Sequence, residues 1–211
     1  MRGGDVPQAV APPRVAFAVD APDVARFFLL LQQGLMIRRR VGCSVDAFLR
    51  EQLGAGPETI ERIQSVMLDG RPVDDIASAV VQDGSALALS AALPGLVGAT
   101  LRRGGTYSSF RSGITHRETG LALGSGPGWV TVKLFNLIMA ELGPALLREG
   151  VSVRVPDLLG LLADSPRDAW RGGVQVTLDG KAFDCGLLQD AEWLRGTDRV
   201  LLSVTSDLLE L

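Results

Sequence analysis

The residues best placed to do chemistry lie in one acid-free stretch. Between Asp83 and Glu118 there is no acidic residue, while Arg102, Arg103, Arg111 and the sole histidine, His116, all fall there. Thr106, Tyr107, Ser108, Ser109 and Ser112 add hydroxyl donors. Arginines beside glycine-rich backbone suit phosphate or carboxylate groups, or an acidic partner surface; the plainer reading is a solvated basic loop. Within the stretch, "LRRGG" ends in Gly104-Gly105. Glycine pairs let backbone enter a narrow channel, or supply positive φ angles in a turn. Tyr107, Phe110 and Ile114 follow at i, i+3 and i+7, a helical stripe that would pack on a neighbouring surface and hold the glycines in place.

Other candidates give less. "GSGPGWVTVK" (124–133) has the glycines of a phosphate loop, but they precede a strand instead of opening a helix, so a linker is expected. Cys43 stands just before a helix cap, where a thiolate can be stabilised, or is a small apolar residue at a strand end. Asp69, Asp74 and Asp75 read as turn acids, with a cation site as the alternative. His116 lacks an orienting acid and nucleophile that spacing would single out, so no catalytic residue is assigned.

The bulk properties bound what these residues can serve. The chain has 211 residues, 46% hydrophobic and 21% charged, with a formal net charge of −3. That balance fits a globular protein with a core and disfavours nucleic acid as a partner. Cys43 and Cys185 show no metal-binding or disulfide spacing, so no metal or cofactor is assigned and a cytoplasmic location with reduced thiols is expected. No apolar run approaches the roughly 18 residues of a membrane span. "MRGGDVPQAVAPPR" lacks the apolar region of a signal peptide, and residues 1–13 are expected to be flexible.

The elements that must position these residues come in two copies. "IQSVMLDGRPVDD" (63–75) and "GVQVTLDGKAFDC" (173–185) match, with Leu68-Asp69-Gly70 and Leu178-Asp179-Gly180 110 positions apart. The same offset lays Val45, Phe48 and Leu49 over Val155, Leu158 and Leu159, and Val41 over Val151. "DGSALALS" (83–90) matches "GTDRVLLS" (196–203) with a second copy three residues longer. Matches in one order at near-constant spacing indicate an internal duplication.

In copy one, "RVAFAV" (14–19) alternates as a strand. Asp20 caps a helix carrying Val24, Phe27, Phe28 and Leu31, and Gly34 ends it. "LMIRRRV" (35–41) is a strand with a solvated charged face, Ser44 caps a second helix, "IQSVMLD" (63–69) is a strand, Asp69-Gly70 a tight turn, and "SALALSA" (85–91) the last strand. Copy two repeats this with "WVTVKLF" (129–135), Asn136 as a cap, "LIMAEL" as a short helix stopped by Gly143, "VSVRV" (151–155), "PDLLGLLAD", "VQVTLD" (174–179) and "RVLLSV" (199–204).

This order is that of the β-grasp plan, a mixed sheet packed on a helix. The fold class expected is therefore α+β: a β-grasp domain at 14–105, a connecting segment at 106–128 and a second β-grasp domain at 129–211. Copy two, "VTVKLFNLIMAELG…VSVRVPDLLGLLA…VTLDGK…DRVLLSV", resembles the molybdopterin-synthase small subunit and thiamine sulfur-carrier family; copy one resembles it more loosely. The resemblance covers roughly 14–105 and 129–206 and rests on structural positions. It implies ubiquitin-like units. In that family a free C-terminal Gly-Gly is adenylated and converted to thiocarboxylate in a partner's active site. Here Thr106 follows Gly105, and the chain ends "VTSDLLEL".

Three functions follow. The first is a non-enzymatic interaction or scaffold protein with a protein partner, assembling as a dimer or larger with "DLLEL" as a contact. The second is a sulfur carrier, or its precursor, using Gly104-Gly105 after cleavage. The third is anion or small-ligand binding at Arg102, Arg103, Arg111 and His116. The first is preferred, with "LRRGG" an unprocessed turn.

Overall fold

The structure, a computed structural model, describes residues 11–92, 95–105, 115–116, 125–170 and 173–206. The fold is α+β. Strands β1 (Arg14–Ala18), β2 (Leu35–Val41), β4 (Ser65–Leu68), β5 (Arg71–Pro72), β7 (Ala86–Ser90), β8 (Gly126–Phe135), β9 (Val151–Arg154), β10 (Gln175–Leu178), β11 (Lys181–Phe183) and β12 (Arg199–Thr205) form one mixed sheet. Its order is β11-β10-β1-β12-β9-β2-β8-β7-β4-β5. β3 (Cys43–Ser44) and β6 (Val80–Val81) form a separate antiparallel pair.

The sheet falls into two halves of five strands. They meet where β9 faces β2, at the single pair Met36–Ser152. Crossing the first half from β2, the relations are antiparallel to β8, parallel to β7, antiparallel to β4 and antiparallel to β5. Crossing the second from β9, through β12, β1, β10 and β11, they run in the same sequence. Each half contains one strand from the other stretch of chain. β8 lies between β2 and β7, and β1 lies between β12 and β10. The stretches 14–105 and 129–211 thus share a sheet and exchange their first strands.

The two "Leu-Asp-Gly" sites are matching hairpin turns. Asp69 and Gly70 have φ of 51° and 76°; Asp179 and Gly180 have 50° and 78°. Two successive positive φ angles define the hairpin turn whose twist suits paired strands, and Asp-Gly adopts it readily. Each aspartate also clasps the neighbouring strand. Asp69 Oδ1 accepts from Ala86 N–H (2.7 Å) while Asp69 N–H donates to the Ala86 carbonyl (2.8 Å). Asp179 Oδ1 accepts from Arg14 N–H (2.8 Å) while Asp179 N–H donates to the Arg14 carbonyl (2.8 Å). The clasped residues are the first of β7 and the first of β1, which stand at equivalent places in the two halves.

Helices α1 (Phe28–Gln33), entered through a 3-10 turn at Ala21–Phe27, α5 (Asn136–Glu149) and α6 (Val155–Asp164) pack on one face of the sheet. That face carries Val15, Phe17, Leu35, Ile37, Val130, Val132, Leu134, Val151, Val153, Val200, Leu202 and Val204, all buried at alternate strand positions. Phe17, Phe27 and Trp170 form an aromatic cluster with ring centroids 5.0 to 5.8 Å apart. Helix α2 (Val45–Ala47) continues as a π-turn at Phe48–Gln52 and is capped by Ser44, whose Oγ accepts from Ala47 N–H (3.2 Å). Val45, Phe48, Leu49 and Leu158 are fully buried, Val155 nearly so, and Leu159 half-buried. Helix α3 (Pro57–Arg62) precedes β4, and α4 (Gly95–Leu101) lies beyond β7 in the chain.

The expected stop at Gly143 is not a stop. α5 runs through Gly143 and Pro144 and ends at Gly150, with φ of 96°. Gly143 is needed for close approach: a Cβ there would sit 2.5 Å from Leu31 Cδ1, on the crossing helix α1. Asn136 does not cap the helix either. Its φ is 54°, and its Nδ2 donates to Ser90 Oγ and the Ala92 carbonyl, tying α5 to the end of β7.

Candidate functional site

The arginine-glycine segment closes α4 and is fastened to the outer edge of the first half-sheet. Arg103 N–H donates to the Gln64 carbonyl (2.7 Å), next to β4. Gly104, with φ of 61°, donates its N–H to Asp74 Oδ1 (3.2 Å), and Gly105 N–H donates to the Arg102 carbonyl (3.1 Å). His116 N–H donates to the Pro72 carbonyl of β5 (2.8 Å). So Arg102–Gly105 and His116 share the β4–β5 edge. Arg102 is exposed and Arg103 half-buried, with a buried Nη1 that has no hydrogen-bond partner among the described residues. Arg111, the Tyr107/Phe110/Ile114 stripe and the C-terminal "DLLEL" lie outside the described residues, as do residues 1–10. Asp74 brings an acid against the segment that its own sequence lacks.

The acids singled out in turns are engaged there. Asp75 Oδ1 accepts from Ala77 N–H (2.9 Å), and the Ser78 and Ala77 hydrogen bonds hold its carboxyl below the usual range. Among the described residues no group of three or more His, Cys, Asp or Glu side chains could hold a metal ion. No described helix is long and apolar enough to cross a membrane.

Cys43 is half-buried, and burial, followed by the Glu51 charge, pushes its thiol up from the ordinary value. Cys185 is raised by burial and then by Asp184. Both are therefore poor thiolates, against the activated reading of Cys43. Iodoacetamide at neutral pH is expected to label each more slowly than free cysteine, and at the free rate in urea; mass spectrometry of a labelling time course reads this directly.

A second site was not found from the sequence. A cavity of about 510 Å³ opens at the seam between the half-sheets, lined by Ala11, Pro12, Pro13, Met36, Trp129, Ser152, Gly196, Thr197, Asp198 and Arg199. Met36 and Ser152 are the pair that joins the halves. Residues 11–13, expected to be flexible with the rest of the N-terminus, run along β12, where the Pro13 carbonyl accepts from Leu201 N–H (2.9 Å). Trp129 stands on β8 with 40% of its surface exposed. Arg199 Nε and Nη2 donate to Ser152 Oγ (2.9 Å) and the Ser152 carbonyl (2.8 Å). Burial, then the cross-strand Arg154, holds the Arg199 guanidinium below the usual arginine range, opposed by Asp157. Asp157 is itself taken by Arg154 through two hydrogen bonds of 2.7 and 2.8 Å.

These side chains belong to a wider pattern on the sheet face opposite α1, α5 and α6. On the described strands, the charged residues alternating with that core are Arg14, Arg38, Arg40, Lys133, Arg154 and Arg199, and every one is basic. Arg39, between Arg38 and Arg40, points to the helix side and pairs with Glu149. Six of the chain's 21 basic residues thus share this face, and the described strands place no acidic residue on it. No family model, curated protein or solved structure matches the chain.

Proposed function

We propose that the chain is a non-enzymatic interaction protein, built from two ubiquitin-like, sulfur-carrier-like units interlocked by exchange of their first strands, and that it presents its basic sheet face to an acidic protein partner. The observation that carries this reading is the basic character of that face: six basic and no acidic side chains among its described strand positions. Such a surface attracts an acidic partner and sets its orientation more than its affinity. The duplicated β-grasp reading is supported by the matched Asp-Gly turns, their identical clasps and the equal sequence of strand directions. Against the carrier alternative stand the hydrogen bonds that hold Gly104 and Gly105 to Asp74 and Arg102.

The test uses fluorescent decaglutamate as a stand-in for an acidic segment, followed by anisotropy. The native chain is expected to bind it, with affinity falling as salt rises. Reversing Arg14 and Arg38 to glutamate together is expected to weaken binding by about tenfold or more, roughly 1.4 kcal/mol. Equal binding by native and reversed chains would remove this face as the partner surface. Tighter binding of duplex DNA than of decaglutamate at physiological salt would overturn the protein-partner reading.

A further inference from the structure

Arg199 is a half-buried cation at the wall of the seam cavity without an ion-pair partner among the described residues. Its Nε and Nη2 are spent on Ser152, which fixes the plane of the guanidinium. Nη1 makes no hydrogen bond to a described residue. The acid that bears on it, Asp157, is already forked by Arg154. Asp198, the one acidic lining residue, forms no ion pair with it. A partly desolvated charge left in this state is costly, and an anion at its free edge recovers that cost. The rest of the lining is mixed: Trp129, Met36, Pro12 and Pro13 are its apolar part, and Ser152, Thr197 and Asp198 its polar part. The cavity, at about 510 Å³, is of the size that holds a small organic molecule and larger than a bare ion needs.

We propose that the seam cavity is a binding site for a small aromatic carboxylate, its carboxylate held by the free edge of Arg199 and its ring lying on Trp129. The site draws residues from both half-sheets, so its occupant also bridges the Met36–Ser152 junction. This inference rests on the cavity and on Arg199, and stands or falls separately from partner binding on the surrounding face.

The probes are benzoate, neutral benzamide and inorganic phosphate, each titrated into the full-length nitrogen-15-labelled chain. The readout is the three tryptophan indole N–H signals, with Trp129 assigned through Trp129→Phe, together with the backbone amide signal of Thr197 in the cavity wall, which reports binding where Trp129 is replaced. Millimolar benzoate is expected to shift the Trp129 signal saturably and leave that of the buried Trp170 in place. Benzamide and phosphate are each expected to bind at least about tenfold more weakly, as are Arg199→Gln and Trp129→Leu with benzoate. Arg199→Lys keeps the charge but loses the planar fork and is expected to weaken binding too. The indole spectrum also reports folding. If Arg199→Gln unfolds, Arg199→Lys and the tolerant, exposed Trp129→Leu decide the matter. No Trp129 shift with benzoate overturns the proposal. Equal binding of benzamide overturns the anion requirement, and equal binding of phosphate overturns the aromatic one. Unchanged benzoate binding by the folded variants overturns the site.

Discussion

Expressed apart, residues 1–105 and 115–211 are expected to remain unfolded; expressed together, they are expected to assemble one-to-one into the native sheet. The reason is the strand exchange. Without β8, the first fragment loses the strand that pairs with β2 along seven positions and with β7 along five. Without β1, the second loses the strand that pairs with β12 along five positions and with β10 along four. Each gap opens two rows of unpaired backbone groups in the interior of a half-sheet. It also uncovers what Val130, Val132 and Leu134, or Val15 and Phe17, had buried. At about 1.5–3 kcal/mol for each side chain, the loss rivals the 5–15 kcal/mol by which a domain is stable. Circular dichroism and sedimentation of each fragment, alone and mixed, read the outcome. A folded monomer of residues 1–105, with β1 filling the place of β8, would show that the exchange is not required.

That alternative explains which features were legible in the sequence. The hairpin turns were, because Asp69-Gly70 and Asp179-Gly180 satisfy a local backbone requirement that two residues encode. The Ser44 cap and the buried stripes Val45/Phe48/Leu49 and Val155/Leu158 were legible for the same reason: capping and helical period are local. The partner of β1 was not. "RVAFAV" and "WVTVKLF" present the same alternation, and β12 and β7 each take one of them in parallel, so nothing local in the two segments says which goes where. Gly143 misled because a glycine for close approach and a glycine that ends a helix look alike until Leu31 is placed beside it. The seam cavity stayed hidden because Pro12, Met36, Trp129, Ser152 and Arg199 are far apart in the chain. The signal that would have found its charge is the alternation itself: Arg38 and Arg40 flank Arg39 on β2, and Arg14, Arg154 and Arg199 occupy strand positions opposite core valines. The basic segment 102–116 was visible as composition. Its attachment to Gln64, Asp74 and Pro72 required the fold.

Aspartate in place of Phe48 or Leu158 is expected to unfold the chain at ordinary temperature, whereas Leu159→Asp is expected to be tolerated. Phe48 and Leu158 are fully shielded from water, one in the π-turn after α2 and the other on α6. Truncating such a side chain costs about 2–5 kcal/mol through lost burial and the cavity left behind. An aspartate adds an unpartnered polar group worth about 1–3 kcal/mol more even when protonated, and a larger penalty when charged. The sum approaches the whole stability of a protein this size. For a chain of about this length each kcal/mol moves the melting temperature roughly 2–4 °C, so a shift of more than about 10 °C is expected for each variant. Leu159 shares the sequence stripe of Leu158 but is only half-buried, and its aspartate can reach water. A melt followed by circular dichroism compares the three. Because β1 and β8 cross between the halves, damage to α2 in the first stretch and damage to α6 in the second should both melt the sheet as one transition. A second, undisturbed transition in Phe48→Asp would mean that the halves fold separately, and equal losses for Leu158→Asp and Leu159→Asp would mean that α6 packs by another face.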